Sequence, residues 1–147
     1  MIIKRFFDII VSFSGLLILS PILILIIFLI KINSSGPVFF RQERAGKNKT
    51  IFNIWKFRTM YSNTDPYGDS PNFDTDMRIT TVGRFLREYS LDEIPQLINV
   101  IKGDMSLIGP RPIYLSLADK LNTAQAKRFI MKPGITGLAQ IKGRTNL

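Results

Sequence analysis

The stretch IIVSFSGLLILSPILILIIFLI, residues 9–30, decides what kind of molecule this is. It holds no charged residue, and most positions are Ile, Leu, Val or Phe. Coiled as an α-helix it covers about 33 Å, close to the hydrocarbon thickness of a bilayer. A cleaved secretory signal needs a shorter apolar core and a small-residue cleavage site. This run instead leads directly into Lys31-Ile32-Asn33. Basic residues stand at both ends: Lys4 and Arg5 before it, and Lys31, Arg41, Arg44, Lys47 and Lys49 after it. Positive flanks favour the cytoplasmic side, so both ends favour the same side. Ser20-Pro21 falls mid-run. Proline removes a backbone donor and presses its ring against the carbonyl of Leu17, which predicts a bend or break, with the Ser20 hydroxyl able to bond a freed carbonyl. Charge and proline together favour a re-entrant segment; the alternative is a single span with a tolerated kink.

Outward from this segment, composition narrows the chemistry. With 147 residues, one domain is the ceiling, so the expected division is a membrane-embedded segment at 1–34 and a catalytic domain at 35–147. There is no Cys and no His, which excludes a Ser–His–Asp triad, a thiolate nucleophile, a zinc site of the usual ligands and any disulfide. A metal would be bound through oxygen, favouring Mg²⁺ or Mn²⁺, and proton transfer would fall to Asp, Glu, Lys, Tyr or water. The net charge of +9 suits an anionic membrane surface.

The pattern predicts an α+β domain with a β-hairpin and several short amphipathic helices. Val38–Arg41 and Thr50–Phe57 read as strands, joined through the turn Ala45-Gly46-Lys47-Asn48-Lys49. The stretch from Tyr61 to Met77, with Asp65, Asp69, Asp74, Asp76 and two prolines, reads as an irregular loop. Val82, Phe85, Leu86 and Tyr89 mark one helical face, and Ile94, Leu97, Ile98 and Ile101 a second, with Pro95 in its first turn and Asp92-Glu93 at its beginning. A third helix is expected over Tyr114–Ile130, with Leu117, Leu121 and Ala124 inward. Residues 103–112 and 133–143 read as Gly/Pro-punctuated loops.

Two acidic residues are adjacent at Asp92-Glu93. As part of Ser90-Leu91-Asp92-Glu93 they fit a helix capping box, serine at the cap and glutamate three residues on. Their setting offers a second reading. Arg84 and Arg87 precede them, Gly109-Pro110-Arg111-Pro112 follows, and adjacent carboxylates among arginines can bind a divalent cation together with a polyphosphate. No P-loop, Rossmann fingerprint or RNA-recognition signature is present, so nucleic acid is not an expected partner.

The motifs Lys56-Phe57-Arg58-Thr59-Met60, Thr81-Val82-Gly83-Arg84-Phe85-Leu86-Arg87, residues 90–112, and Pro133-Gly134-Ile135-Thr136-Gly137-Leu138-Ala139-Gln140 with Gly143-Arg144 are similar to those of bacterial monotopic phosphoglycosyl transferases. The resemblance implies transfer of a sugar 1-phosphate from a UDP-sugar to polyprenyl (undecaprenyl) phosphate. UMP would leave, and a covalent aspartyl-phosphosugar would form on the way. It implies Asp92 as nucleophile and Glu93 as its partner, both as Mg²⁺ ligands with Mn²⁺ as substitute, and Ser20-Pro21 as the helix break. Arg87, Arg111, Lys56, Arg58 and Arg144 match positive positions around the phosphates. It places the chain at the bacterial inner membrane, catalytic domain on the cytoplasmic face, with membrane lipids and a second copy as partners. It also implies more chain beyond Gly143-Arg144, so the alternative expectation is a truncated, non-catalytic relative serving as a basic membrane-bound module.

Overall fold

The computed structural model describes residues 2–64 and 76–141. Its first element is one helix, α1 (Ile2–Asn33), followed by the hairpin β1 (Phe39–Ala45) and β2 (Ile51–Phe57). Then come α2 (Thr81–Glu88), a 3-10 turn (Leu91–Glu93), α3 (Gln96–Lys102), β3 (Ser106–Ile108), α4 (Leu115–Ala118), α5 (Thr123–Ala126), a second 3-10 turn (Lys127–Ile130), β4 (Gly134–Thr136) and α6 (Leu138–Ile141). The α+β class and the hairpin agree with the sequence. Most of the acidic stretch lies outside the described residues, as does Arg144.

α1 continues as a helix through Ser20-Pro21, so the expected bend or break does not take the form of an interruption. Proline removes a single donor, and along an apolar stretch the neighbouring backbone groups have no better partners than the helix itself. Leu17 and Ser20 both keep interaction partners.

Packing divides the chain into two compact units, residues 1–18, 41–55 and 96–147 forming one, and 19–40 and 56–95 the other. In the first, Phe52, Ile54, Val100 and Met105 form a core with Leu107 and Ile135 against it. Asn99 is fully buried, receiving the Trp55 amide at 2.9 Å and donating to the Asn53 carbonyl at 2.7 Å, so α3 is locked to the edge of β2. The beginning of α1 belongs here too. Asp8, buried, accepts from the Ser106 hydroxyl at 2.8 Å and the Leu107 amide at 3.2 Å, and Arg5 donates to the carbonyls of Val100 and Ile101 at the C-terminal end of α3. Cations at that end of a helix oppose its dipole favourably.

Two expectations fail in this unit. The helix expected over 114–130 is split into α4, α5 and a 3-10 turn, because Asn122 and Gln125 close a capping box that starts a new helix. Ala118 and Phe129, rather than Leu117 and Ala124, face inward. The two glycine-rich loops also contain β3 and β4, paired in parallel with Ser106 opposite Gly134. Added Cβ atoms on Gly109 or Gly134 would collide with the facing backbone, which explains the glycines there.

In the second unit, Ile26 and Ile30 of α1 form a core with Phe57 and Leu86, and Phe39 stacks on Phe57 with ring centres 5.4 Å apart. Helix α2 forms as its spacing predicts, but Phe85 and Tyr89 are exposed and pair with each other.

Candidate functional site

The second unit carries Asp92 and Glu93, and local geometry explains how they are presented. They do not open α3. They sit in the separate turn Leu91–Glu93, and α3 begins only at Gln96, after Pro95. Ser90 does not close a capping box either: its φ of 56° is left-handed and its side chain makes no cap bond. A non-glycine residue in that region costs about 1 kcal/mol and is retained where surroundings demand it. Here it stands between α2 and the acidic turn.

Asp92 is buried, 8% exposed, a rare condition for a carboxylate. Burial pushes its pKa above the ordinary carboxylate value, opposed by the charges of Lys56 and Arg87, while Glu93 adds to the rise. Its neighbour Glu93 accepts from Lys56 Nζ at 2.8 Å, in a pair whose side chains are only 19% and 14% exposed.

Arg87 is aimed by a close helix–strand contact. The Thr80 side chain caps α2 by accepting from Gly83 N at 2.9 Å, and a Cβ at Gly83 would collide with the backbone of Thr59. That approach lets Arg87 Nε donate to the Thr59 hydroxyl at 2.8 Å. Arg58 is engaged elsewhere. Buried, it donates to the Ser34 carbonyl at 2.8 Å, the Ser34 hydroxyl at 2.9 Å, the Ser62 hydroxyl at 2.6 Å and the Ser35 carbonyl. It closes the end of α1.

Thus Asp92, Glu93, Lys56 and Arg87 come together in one unit, with Arg58 at the end of α1. Arg111 belongs to the other unit. There it lines an open recess of about 180 Å³ with Pro110, Phe129 and Arg128, whose guanidinium donates to the Arg111 carbonyl at 3.0 Å. Thr59, Thr80 and Gly83 are positioning residues that the sequence reading did not single out; Thr80 ahead of an apolar helical repeat was the one legible sign.

The described residues contain no cluster of three or more His, Cys, Asp or Glu. A pair of carboxylates is nevertheless a fitting donor set for Mg²⁺, which is commonly bound through one or two carboxylates plus substrate phosphates.

The profile of a family described as "Bacterial sugar transferase" matches residues 1–147. The chain belongs to the bacterial sugar transferase family. This sugar transferase is 42% identical to the "Uncharacterized sugar transferase EpsL" of Bacillus subtilis (strain 168), over 98% of the chain and 70% of that relative. It is 43% identical to a UDP-N-acetylgalactosamine-undecaprenyl-phosphate N-acetylgalactosaminephosphotransferase of Aeromonas hydrophila, over 95% of the chain. It is 45% identical to a UDP-glucose:undecaprenyl-phosphate glucose-1-phosphate transferase of Klebsiella pneumoniae, over 97% of the chain. The chain spans 34% and 31% of the length of these last two.

Proposed function

We propose that this sugar transferase moves a sugar 1-phosphate from a UDP-sugar to undecaprenyl or a related polyprenyl phosphate, releasing UMP and starting assembly of an extracellular polysaccharide. The observation that carries the reading is the buried Asp92, adjacent to Glu93 and under the charges of Lys56 and Arg87. The names of the relatives supply the substrate classes.

The Asp92 carboxylate attacks the sugar-linked phosphorus, the bond to the UMP oxygen breaks, and UMP leaves with the electron pair. An oxygen of the lipid phosphate then attacks the same phosphorus and releases the Asp92 carboxylate. An aspartate needs no histidine to ionise it, its reference pKa being about 3.9. Arg87, held by Thr59, supplies positive charge near the carboxylates, and a planar guanidinium matches a pair of phosphate oxygens. Arg111 and Arg144 remain proposed phosphate contacts. Asp92 and Glu93 would hold Mg²⁺, with Mn²⁺ as substitute, which when bound offsets repulsion between carboxylate and diphosphate.

The proposed membrane course rests on the length and apolarity of α1 and on the charges at its two ends. Among the described residues α1 is the one helix long and apolar enough to cross a bilayer. Its first turns bond to residues 100–108 through Arg5 and Asp8, and its last to Arg58. The basic residues on both flanks favour both ends lying on one side, with the apolar segment between them entering the bilayer from that side. Basic flanks favour the cytoplasmic side of the inner membrane.

The deciding experiment incubates the chain with a panel of UDP-sugars and Mg²⁺, without lipid. The expected result is stoichiometric UMP and a phosphosugar mass on Asp92, discharged by undecaprenyl phosphate. Turnover with lipid but no adduct under trapping conditions would overturn the covalent step. Absence of transfer with every donor would favour a non-catalytic module.

A further inference from the structure

The end of β2 directs three consecutive side chains to three tasks. Phe57 enters the core with Ile26, Ile30 and Leu86, and Arg58 closes the end of α1 at Ser34 and Ser35. Lys56 therefore stands on backbone fixed by its neighbours, and its ammonium reaches Glu93 Oε1 at 2.8 Å. The pair is largely removed from water. Breaking such a pair leaves an uncompensated charge behind, which is far costlier than losing a solvated surface pair. A lysine that left Glu93 to reach a phosphate would incur that penalty. Glu93, in turn, shares the short Leu91–Glu93 turn with Asp92, so whatever holds one carboxylate orients the other.

We propose that Lys56 is a positioning residue that acts through Glu93, and is not a ligand of the donor's phosphates. The proposal rests on the phosphoglycosyl transferase reading above and deepens it. It assigns the cation of the Lys56-Phe57-Arg58 motif to the alignment of the acidic turn, leaving donor charge to the arginines. It also predicts that Lys56 and Glu93 behave as one unit, because removing either releases the same constraint.

The test compares four full-length proteins: wild type, Lys56→Met, Glu93→Gln and the double variant. Three quantities are read: kcat and KM for UMP release, protection against thermal unfolding by UMP, and the denaturant midpoint. Lys56→Met is expected to lower kcat by about tenfold while KM stays within about twofold and UMP protection persists. In the Glu93→Gln background the same substitution should add less than about twofold, and the midpoints should show coupling. Lys56→Arg serves where the methionine variant does not fold. A phosphate ligand would tolerate arginine, whereas a fitted buried pair should lose rate at unchanged KM. A tenfold rise in KM with loss of UMP protection, or effects that add fully in the double variant, would overturn the proposal. An inactive wild type would count against the proposed function instead. The midpoints then decide for Lys56, coupling supporting it and additivity overturning it.

Discussion

Asp92 places stability and chemistry in opposition at a single residue. Burial raises its pKa, so the folded state disfavours the ionised form relative to the unfolded chain. The linkage has a definite sign. Below the ordinary carboxylate pKa, about 4, both states are protonated and no penalty exists; as pH rises from there through the raised folded value, stability is lost. Asp92→Asn, of the same shape but uncharged, is expected to melt above wild type at pH 7 in excess chelator. The two melting temperatures should converge near pH 3. The same substitution should remove at least about a thousandfold of the UMP release rate. A melting temperature equal to or below wild type across that range would show that Lys56 and Arg87 fully compensate the burial. At Ser90 the left-handed backbone leads to a second expectation: Ser90→Gly retains the fold, while Ser90→Val, measured by denaturant midpoint, is destabilised by about 1–2 kcal/mol.

Among the elements, α2 works by proximity. Gly83→Ala would drive a methyl group into the Thr59 backbone, so α2 must shift; the expected cost is about 1–3 kcal/mol, with Arg87 displaced and UMP release reduced. Gly83→Ala with unchanged midpoint and activity would show that the contact yields freely. Elements with local signals were legible from sequence: the hairpin through its turn, α2 through its spacing, and α1 through its apolar run. What escaped is non-local or too short for periodicity. β3 and β4 have three residues each and pair in parallel across a long separation. The helix expected from Tyr114 was interrupted by a side-chain cap at Asn122 that hydrophobic spacing does not register. The candidate site divides the same way. Asp92 beside Glu93 is visible as adjacency, whereas Lys56 reaching Glu93 and Arg58 closing α1 are tertiary contacts. No spacing rule predicts whether a basic residue meets a substrate or a carbonyl of its own chain.

For the whole molecule, the course of α1 can be tested without removing native residues, because the chain contains no cysteine. Single Ile3→Cys and Ser35→Cys variants in intact inverted and right-side-out vesicles should react with an impermeant maleimide from the same, cytoplasmic, side. Reaction from opposite sides would restore a simple span.

The bonds that hold the beginning of α1 join residues far apart in time as well as in sequence. Ser106, which donates to Asp8, leaves the ribosome almost a hundred residues after it. At about 5–20 residues per second, that is an interval of roughly 5–20 s. Throughout it the Asp8 carboxylate has no Ser106 to meet. Whatever sets the course of α1 during that interval acts before these contacts exist, and the later contacts can only ratify it. On the proposed membrane course, a chain that finished synthesis with Asp8 and Ser106 on opposite faces of a bilayer could not close this bond at all.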